Sequence, residues 1–255
     1  MKKFLLGGIA IVALGTGSAA LAADLPVKAP VYKAPPVAYG WTGCYIGAGG
    51  GYGMYTQDHQ ELLLSGAPDS FNSTSGGRGW FGTVQGGCDY QIYPTWVIGA
   101  FADADWGNIH GDQNLSIATF PFVGQERLRS SWAVGGRLGW LPMDHFMTFV
   151  SGGFTQARFG AYDQSFNFAL AAGLPPLFHV DGHTRDGFFI GTGYEYALRW
   201  FPGLTWKTEY RFADYGTERD TVFFFGTTTP FRFTDSHKYV QTIRTELVWR
   251  FGGTP

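Results

Sequence analysis

Large apolar side chains recur at every second position in segment after segment of this 255-residue chain. In LTWKTEYRF, at positions 204 to 212, Leu204, Trp206, Thr208, Tyr210 and Phe212 share one register, and Thr205, Lys207, Glu209 and Arg211 share the other. Side chains of a strand alternate between its faces with period two, so one face is aromatic and the other carries opposite charges. A second copy occupies 239 to 251, where Tyr239, Ile243, Leu247, Trp249 and Phe251 alternate with Arg244, Glu246 and Arg250. Repeated apolar faces backed by charged ones predict a β-barrel with lipid outside and polar groups within.

The same pattern predicts eight strands, near 41 to 54, 79 to 91, 96 to 107, 127 to 140, 146 to 159, 186 to 198, 204 to 214 and 238 to 251. Short connections near 92 to 95, 141 to 145 and 199 to 203 hold Pro94, Pro142 and Pro202. Long polar or Gly-rich connections near 55 to 78, 108 to 126, 160 to 185 and 215 to 237 alternate with them. Short periplasmic turns alternating with long extracellular loops are the rhythm of an up-and-down barrel in an outer membrane. The predicted fold is therefore all-β, an eight-stranded antiparallel up-and-down transmembrane β-barrel.

Extending the alternation assigns faces. Trp80, Val84 and Tyr90 turn outward and Thr83, Gln85 and Asp89 inward; Trp96, Ile98, Ala100 and Trp106 turn outward and Asp103 and Asp105 inward. On the fourth strand Trp132, Val134, Leu138 and Trp140 face out, with Arg129 and Arg137 in; on the sixth, Ile190, Tyr194 and Tyr196 face out, with Glu195 in. The fifth strand has aromatic residues in both registers and its faces stay open. The first is so rich in glycine that its register is weakly specified. The collected inward charges are Asp89, Asp103, Asp105, Glu195, Glu209 and Glu246 against Arg129, Arg137, Lys207, Arg211 and Arg244. Their near balance predicts a lumen filled by paired groups, because unpaired charge in a narrow enclosure is costly and eight strands leave room only for side chains.

Composition agrees: 38 Gly, 18% aromatic and only 15% charged residues fit strands, tight turns and aromatic girdles. A mean hydropathy of -0.06 says little, since alternating faces cancel in the average. The net charge of -2 gives no sign of a nucleic-acid partner. Lys2 and Lys3, the apolar run Phe4 to Leu14, and Ala20, Leu21 and Ala22 read as a Sec signal peptide over 1–22. Positions 23–40 repeat Lys-Ala-Pro at Lys28 to Pro30 and Lys33 to Pro35. This predicts an extended periplasmic linker of polyproline character, with the barrel occupying 41–255.

Cys44 and Cys88 are the only cysteines, in a chain addressed to an oxidising compartment. Antiparallel partners have a constant sum of positions, and the midpoint of this pair falls in the middle of the first long loop. Both also lie in the outward register, so a disulfide near the periplasmic end is expected. Catalytic signals are poor. His59, His110, His145, His179, His183 and His237 all fall in predicted loops or turns. His179 and His183, with Asp181 and Asp186 nearby, match no established metal spacing. Ser236 beside His237 would point to opposite faces of a strand, so no catalytic, cofactor or metal site is assigned.

The motifs ADLP at Ala23 to Pro26, WTGCYIGAGGGYG at 41 to 53, GTVQGGCDYQ at 82 to 91, GRLGW at 136 to 140, GTGYEYAL at 191 to 198 and WKTEYRFADYG at 206 to 216 follow in order. With them the chain resembles the alphaproteobacterial outer-membrane β-barrel family that includes the immunogenic 25 and 31 kDa surface proteins, often called porin family. That resemblance implies a small barrel of the OmpA/OmpX type with a structural and surface-interaction role in the envelope. It also implies that Leu247, Trp249 and Phe251 form the signal read by the barrel-assembly machinery, although Gly252 to Pro255 follow them. Expected partners are outer-membrane lipid and lipopolysaccharide, that machinery, and an extracellular ligand of the long loops. The rival readings are a small-solute porin and a lipid-modifying outer-membrane enzyme.

Overall fold

The computed structural model describes residues 39–117 and 120–251. The predicted leader and nearly all of the Pro-rich linker lie outside the described residues. Among the described residues, ten strands and one helical turn follow in chain order: β1 (Gly43–Leu62), β2 (Ser73–Tyr93), β3 (Trp96–Ile117), β4 (Phe120–Met143), β5 (Phe146–Phe159), β6 (Tyr162–Phe166), α1 (Asn167–Ala171), β7 (Phe178–Val180), β8 (His183–Ala197), β9 (Leu204–Phe224) and β10 (Pro230–Phe251). Every pairing is antiparallel, and β10 returns to β1 from Cys44↔Phe251 to Leu62↔Phe233. Strands β1 to β5 and β8 to β10 thus close an eight-stranded ring. Above the ends of β5 and β8, the short β6 and β7 take their place between β4 and β9.

Aromatic residues at the two ends of the outward-facing stretches mark the lipid band. Outward positions run from Trp80 to Tyr90 on β2, from Trp96 to Trp106 on β3, and from Tyr239 to Trp249 on β10. Each stretch is close to the roughly 9 to 11 residues that a tilted strand needs to cross a bilayer. The fifth strand also resolves: Met147, Phe149 and Phe159 are buried inside while Val150 and Phe154 are exposed outside.

Strands continue well beyond that band, which corrects the expected long loops. Much of 55 to 78, 108 to 126 and 215 to 237 is strand, so His59, His110 and His237 lie on β1, β3 and β10, with His179 on β7 and His183 on β8. Water replaces lipid on the outer face there. Both faces can then be polar, and the alternation that signals a membrane strand fades although the ladder persists.

Bulges just above the outer aromatic girdle reverse the alternation. On β4 the register shifts between Leu128 and Ser130, and Arg129, expected inside, is exposed while Leu128 and Glu126 turn in. The extra residue of a bulge changes which positions face the core, so counting by twos from Arg137 assigns Arg129 wrongly. On β9 the shift falls between the pairs Asp214–Tyr239 and Thr217–His237, and Gly216 takes φ 65°, a left-handed conformation glycine adopts without a Cβ penalty. Beyond it, Val222 is buried where the odd positions faced in below.

Cys44 and Cys88 are direct register partners on the outer face and form a disulfide with Cα atoms 3.9 Å apart. The bond closes a separation of 44 residues, for which loop-closure entropy corresponds to about 3 to 5 kcal/mol. Reduction is expected to leave the barrel folded and lower its resistance to urea by about 2 to 4 kcal/mol. Paired unfolding curves with and without reductant measure this, and Cys44→Ser should reproduce the reduced curve.

Candidate functional site

The lumen is built from inward positions of all eight ring strands. At its periplasmic end Asp89 from β2, Arg137 from β4, Glu195 from β8 and Arg250 from β10 form a closed ring of alternating charge. Arg137 donates through Nε and Nη2 to Asp89 at 2.9 and 2.5 Å, and through Nη1 to Glu195 at 3.0 Å. Arg250 completes the cycle with Nη2 on Glu195 at 2.8 Å and Nη1 on Asp89 at 2.8 Å. The Thr205 hydroxyl adds a donor to Glu195 at 2.6 Å. Fork-to-carboxylate contacts of this kind are the strong, directional class of hydrogen bond. Below the ring, Trp41 is fully buried against Val97, Leu141 and Met147, its indole N–H donating to the Asp144 carbonyl at 2.9 Å. The Arg250 guanidinium lies over the Trp41 ring, 4.7 Å from its centroid.

A second, chain-like layer lies above. Lys207 reaches Glu209 at 3.0 Å and Glu246 at 3.6 Å. Arg211 joins Glu209 at 3.3 Å to Asp103 at 2.8 Å, and Arg244 joins Asp103 at 3.2 Å to Asp105 at 3.0 Å. Gln85 donates to Glu246 and accepts from Lys207, and the Ser151 hydroxyl donates to Glu209 at 2.7 Å. Two glycines make room for these groups: a Cβ on Gly99 would collide with the Asp89 carboxylate, and one on Gly191 with Ser151 and Glu209. Here Gly supplies close approach rather than a turn.

Aromatic and aliphatic residues, among them Phe81, Tyr55, Phe159 and Tyr215, separate these layers from a further polar cluster above the lipid band. There Lys238 pairs with Glu126 at 2.7 Å and Arg185 with Asp220 at 2.6 Å, and Arg185 also donates to the Ser236 carbonyl at 2.7 Å. Near the top, Glu61 accepts from the Thr234 hydroxyl at 2.9 Å and lies 3.7 Å from Arg232. Burial pushes the Glu61 carboxyl up to about 7, the Thr234 hydrogen bond and Arg232 offsetting only part of that cost.

All the expected lumen charges except Arg129 are thus buried, each paired with an opposite charge within one of these two layers. Arg250, Glu126, Arg185, Asp220, Lys238, Glu61 and Arg232 are further lumen charges, beyond those expected from the sequence. Arg250 was legible, since it continues the register of Arg244 and Glu246. The others lie where bulges and polar outer faces erase the pattern. Leu247, Trp249 and Phe251 lie exposed on the outer face of β10.

The histidines do not converge on a site. His179 hydrogen-bonds Asp163 at 2.6 Å and Asp181 at 3.2 Å on the surface, whereas His183 lies 3.6 Å from both Glu126 and Asp220. Ser236 is buried beside Arg185, and His237 faces outward onto Asp214 at 2.8 Å and Thr217 at 3.0 Å. Neighbouring strand positions point to opposite faces, and Ser236 and His237 do so here.

No protein-family model matches the chain. Over 264 residues it is 28% identical to the 31 kDa outer-membrane immunogenic protein of Brucella melitensis biotype 1, an alignment covering 98% of this chain and 100% of that protein. The protein of the same name from Brucella suis biovar 1 gives the same identity and coverage. Among solved structures, the outer membrane protein OprG from Pseudomonas aeruginosa superposes with a TM-score of 0.55 at 14% identity, covering 84% of this chain and 99% of that one. OprG shares the barrel fold, and the Brucella relatives share nearly the whole sequence length.

Two measurements probe the lumen. Arg137→Met leaves Asp89 and Glu195 sharing Arg250 alone, and should cost about 3 to 5 kcal/mol in urea unfolding from lipid vesicles. Glu61 adds a pH dependence. Its folded value lies above the ordinary 4.5, so the folded state binds the extra proton between these values and stability falls as pH rises from about 4.5 to about 7. Unfolding curves across that window should show the fall in the native chain and a flatter response in Glu61→Gln.

Proposed function

We propose that this outer-membrane β-barrel protein, homologous to the Brucella 31 kDa immunogenic proteins, is a closed structural element of the envelope that presents an extended surface outside the cell. Burial of the lumen charges carries this reading. Water in an open pore would leave the side chains lining it exposed, yet Glu195 and Glu209 are 0% exposed and Lys207 is 2% exposed. A void beside Phe81, Asp105, Leu128 and Val240 measures about 20 Å³, room for one water. Ion pairs interlocked across the barrel also resist piecemeal opening, because moving one member strands its partners without counter-charge.

The strand-built wall above the lipid band supports the second half of the proposal. It offers a rigid polar surface on which loop tips can meet an extracellular ligand, and binding residues concentrate on loops held by such scaffolds. Leu247, Trp249 and Phe251 share the lipid-facing side of the closing strand, which suits a segment read by the assembly machinery before insertion. The opposed directions of Ser236 and His237 weigh against the lipid-modifying reading.

Conductance decides between this reading and the porin. The purified, refolded chain in planar bilayers is expected to show no stable open level at moderate voltage. A reproducible ohmic level in the native protein would instead establish a small-solute pore.

A further inference from the structure

Outside the barrel, just above the outer aromatic girdle, arginines gather on one side. Arg78 on β2 pairs in register with His110 on β3, which pairs with Arg127 on β4. Arg129 at the β4 bulge and Arg158 on β5 extend the group, and all four arginines are exposed. Among the described residues none of the four forms an ion pair; Arg127 donates to the Gln125 amide oxygen at 2.8 Å. The opposite wall differs, because Arg219 on β9 is held by Asp235 through bonds of 2.6 and 2.9 Å. Nearby carboxylates on the arginine side are Asp112, in register with Gln125; Asp163, next to the β4–β6 pair Gly124–Gln164 and held by His179 at 2.6 Å; and Asp186, which accepts from the Gln156 amide at 2.7 Å.

The bulge also opens the wall. A groove of about 450 Å³ lies between Trp106, Trp132, Ser130, Gln156, Arg158 and Thr184. Its lower edge is the tryptophan girdle, where acyl chains end, and Arg158 lies at its upper, aqueous side. The Arg129 side chain lies against Gly160, where a Cβ would collide with it, so the chain leaves space for an outward arginine at the bulge.

We propose that this face binds the phosphorylated head group of an outer-leaflet lipid, with the arginines on its phosphates and its acyl chains along Trp106 and Trp132. The end with the short turns after β2, β4 and β8 is the periplasmic one, so the patch lies at the outer leaflet. Guanidinium forks match phosphate oxygens bidentately, and a cationic cluster without carboxylate partners at the headgroup level attracts anionic lipid. A soluble anion would use the arginines alone; the groove continuing onto the tryptophans favours a lipid. The proposal rests on the outer-membrane location and is independent of whether the lumen conducts.

The test is native mass spectrometry of the folded full chain in detergent with bisphosphorylated lipid A, dephosphorylated lipid A or inorganic phosphate. Retention of the bisphosphorylated lipid is expected, falling about tenfold or more in the Arg129→Glu, Arg158→Glu double variant and unchanged in Arg219→Glu. Dephosphorylated lipid A should bind weakly, and millimolar inorganic phosphate should not displace the lipid. The Arg129→Gln, Arg158→Gln double variant, confirmed folded by its heat-dependent gel mobility, decides the matter if the glutamate variant does not fold. Equal retention in native and substituted chains, equal retention of the dephosphorylated lipid, or full displacement by phosphate overturns the proposal.

Discussion

Hydrocarbon offers no water to satisfy a backbone N–H or C=O, so a strand in it must have a neighbour on each side. The pairing of β10 with β1, unbroken from Cys44↔Phe251 to Leu62↔Phe233, meets that requirement, and the rest of the molecule follows from it. Closure makes the inward faces of eight strands share a narrow core that must be filled by their own side chains. Those faces carry charge, so the core is polar yet buried, and each charge needs a partner within reach. The ring of Asp89, Arg137, Glu195 and Arg250 meets the need with residues from every second strand.

Such a core differs from a soluble one in what it specifies. Apolar packing tolerates exchange of one aliphatic side chain for another, whereas an interlocked set of forks and carboxylates accepts few arrangements. Glycines at 99 and 191 belong to this logic, since they leave space where the paired groups cross the lumen. Trp41 seals the periplasmic end before the first strand begins. The apolar layer around Tyr55 and Phe159 then separates the membrane-level network from the polar cluster above it.

The bulges link the wall to its surroundings. At Arg129 and Gly216 the ladder gains a residue near the level where lipid gives way to water, and the faces exchange. The β4 bulge turns a positive charge out to the headgroup level and an acid, Glu126, into the lumen to meet Lys238. One local irregularity thereby serves both surfaces of the barrel. Bulges concentrate at barrel rims, and these two lie at the rim of the lipid rather than of the sheet.

Within the lipid band, the alternation of Trp206, Tyr210, Trp249 and their neighbours with Lys207, Glu209 and Arg244 was enough to reveal strand number, the Cys44–Cys88 register and the facing of all but the first and fifth strands, because a lipid exterior forces a period of two. Above the band that force is absent, and strands such as the upper part of β1, with Gln57, His59 and Glu61 inward, look like polar loop. Only the closed tertiary structure decided that Arg129 faces out, that Glu126 and Asp220 face in, and which acid meets which base across the lumen. These depend on the bulges above the lipid band and on the shear of the ring, which brings residues more than a hundred positions apart into contact, as with Arg244 and Asp103. Alternation along a strand states which side a residue is on; contact between sides is set by how the sheet closes.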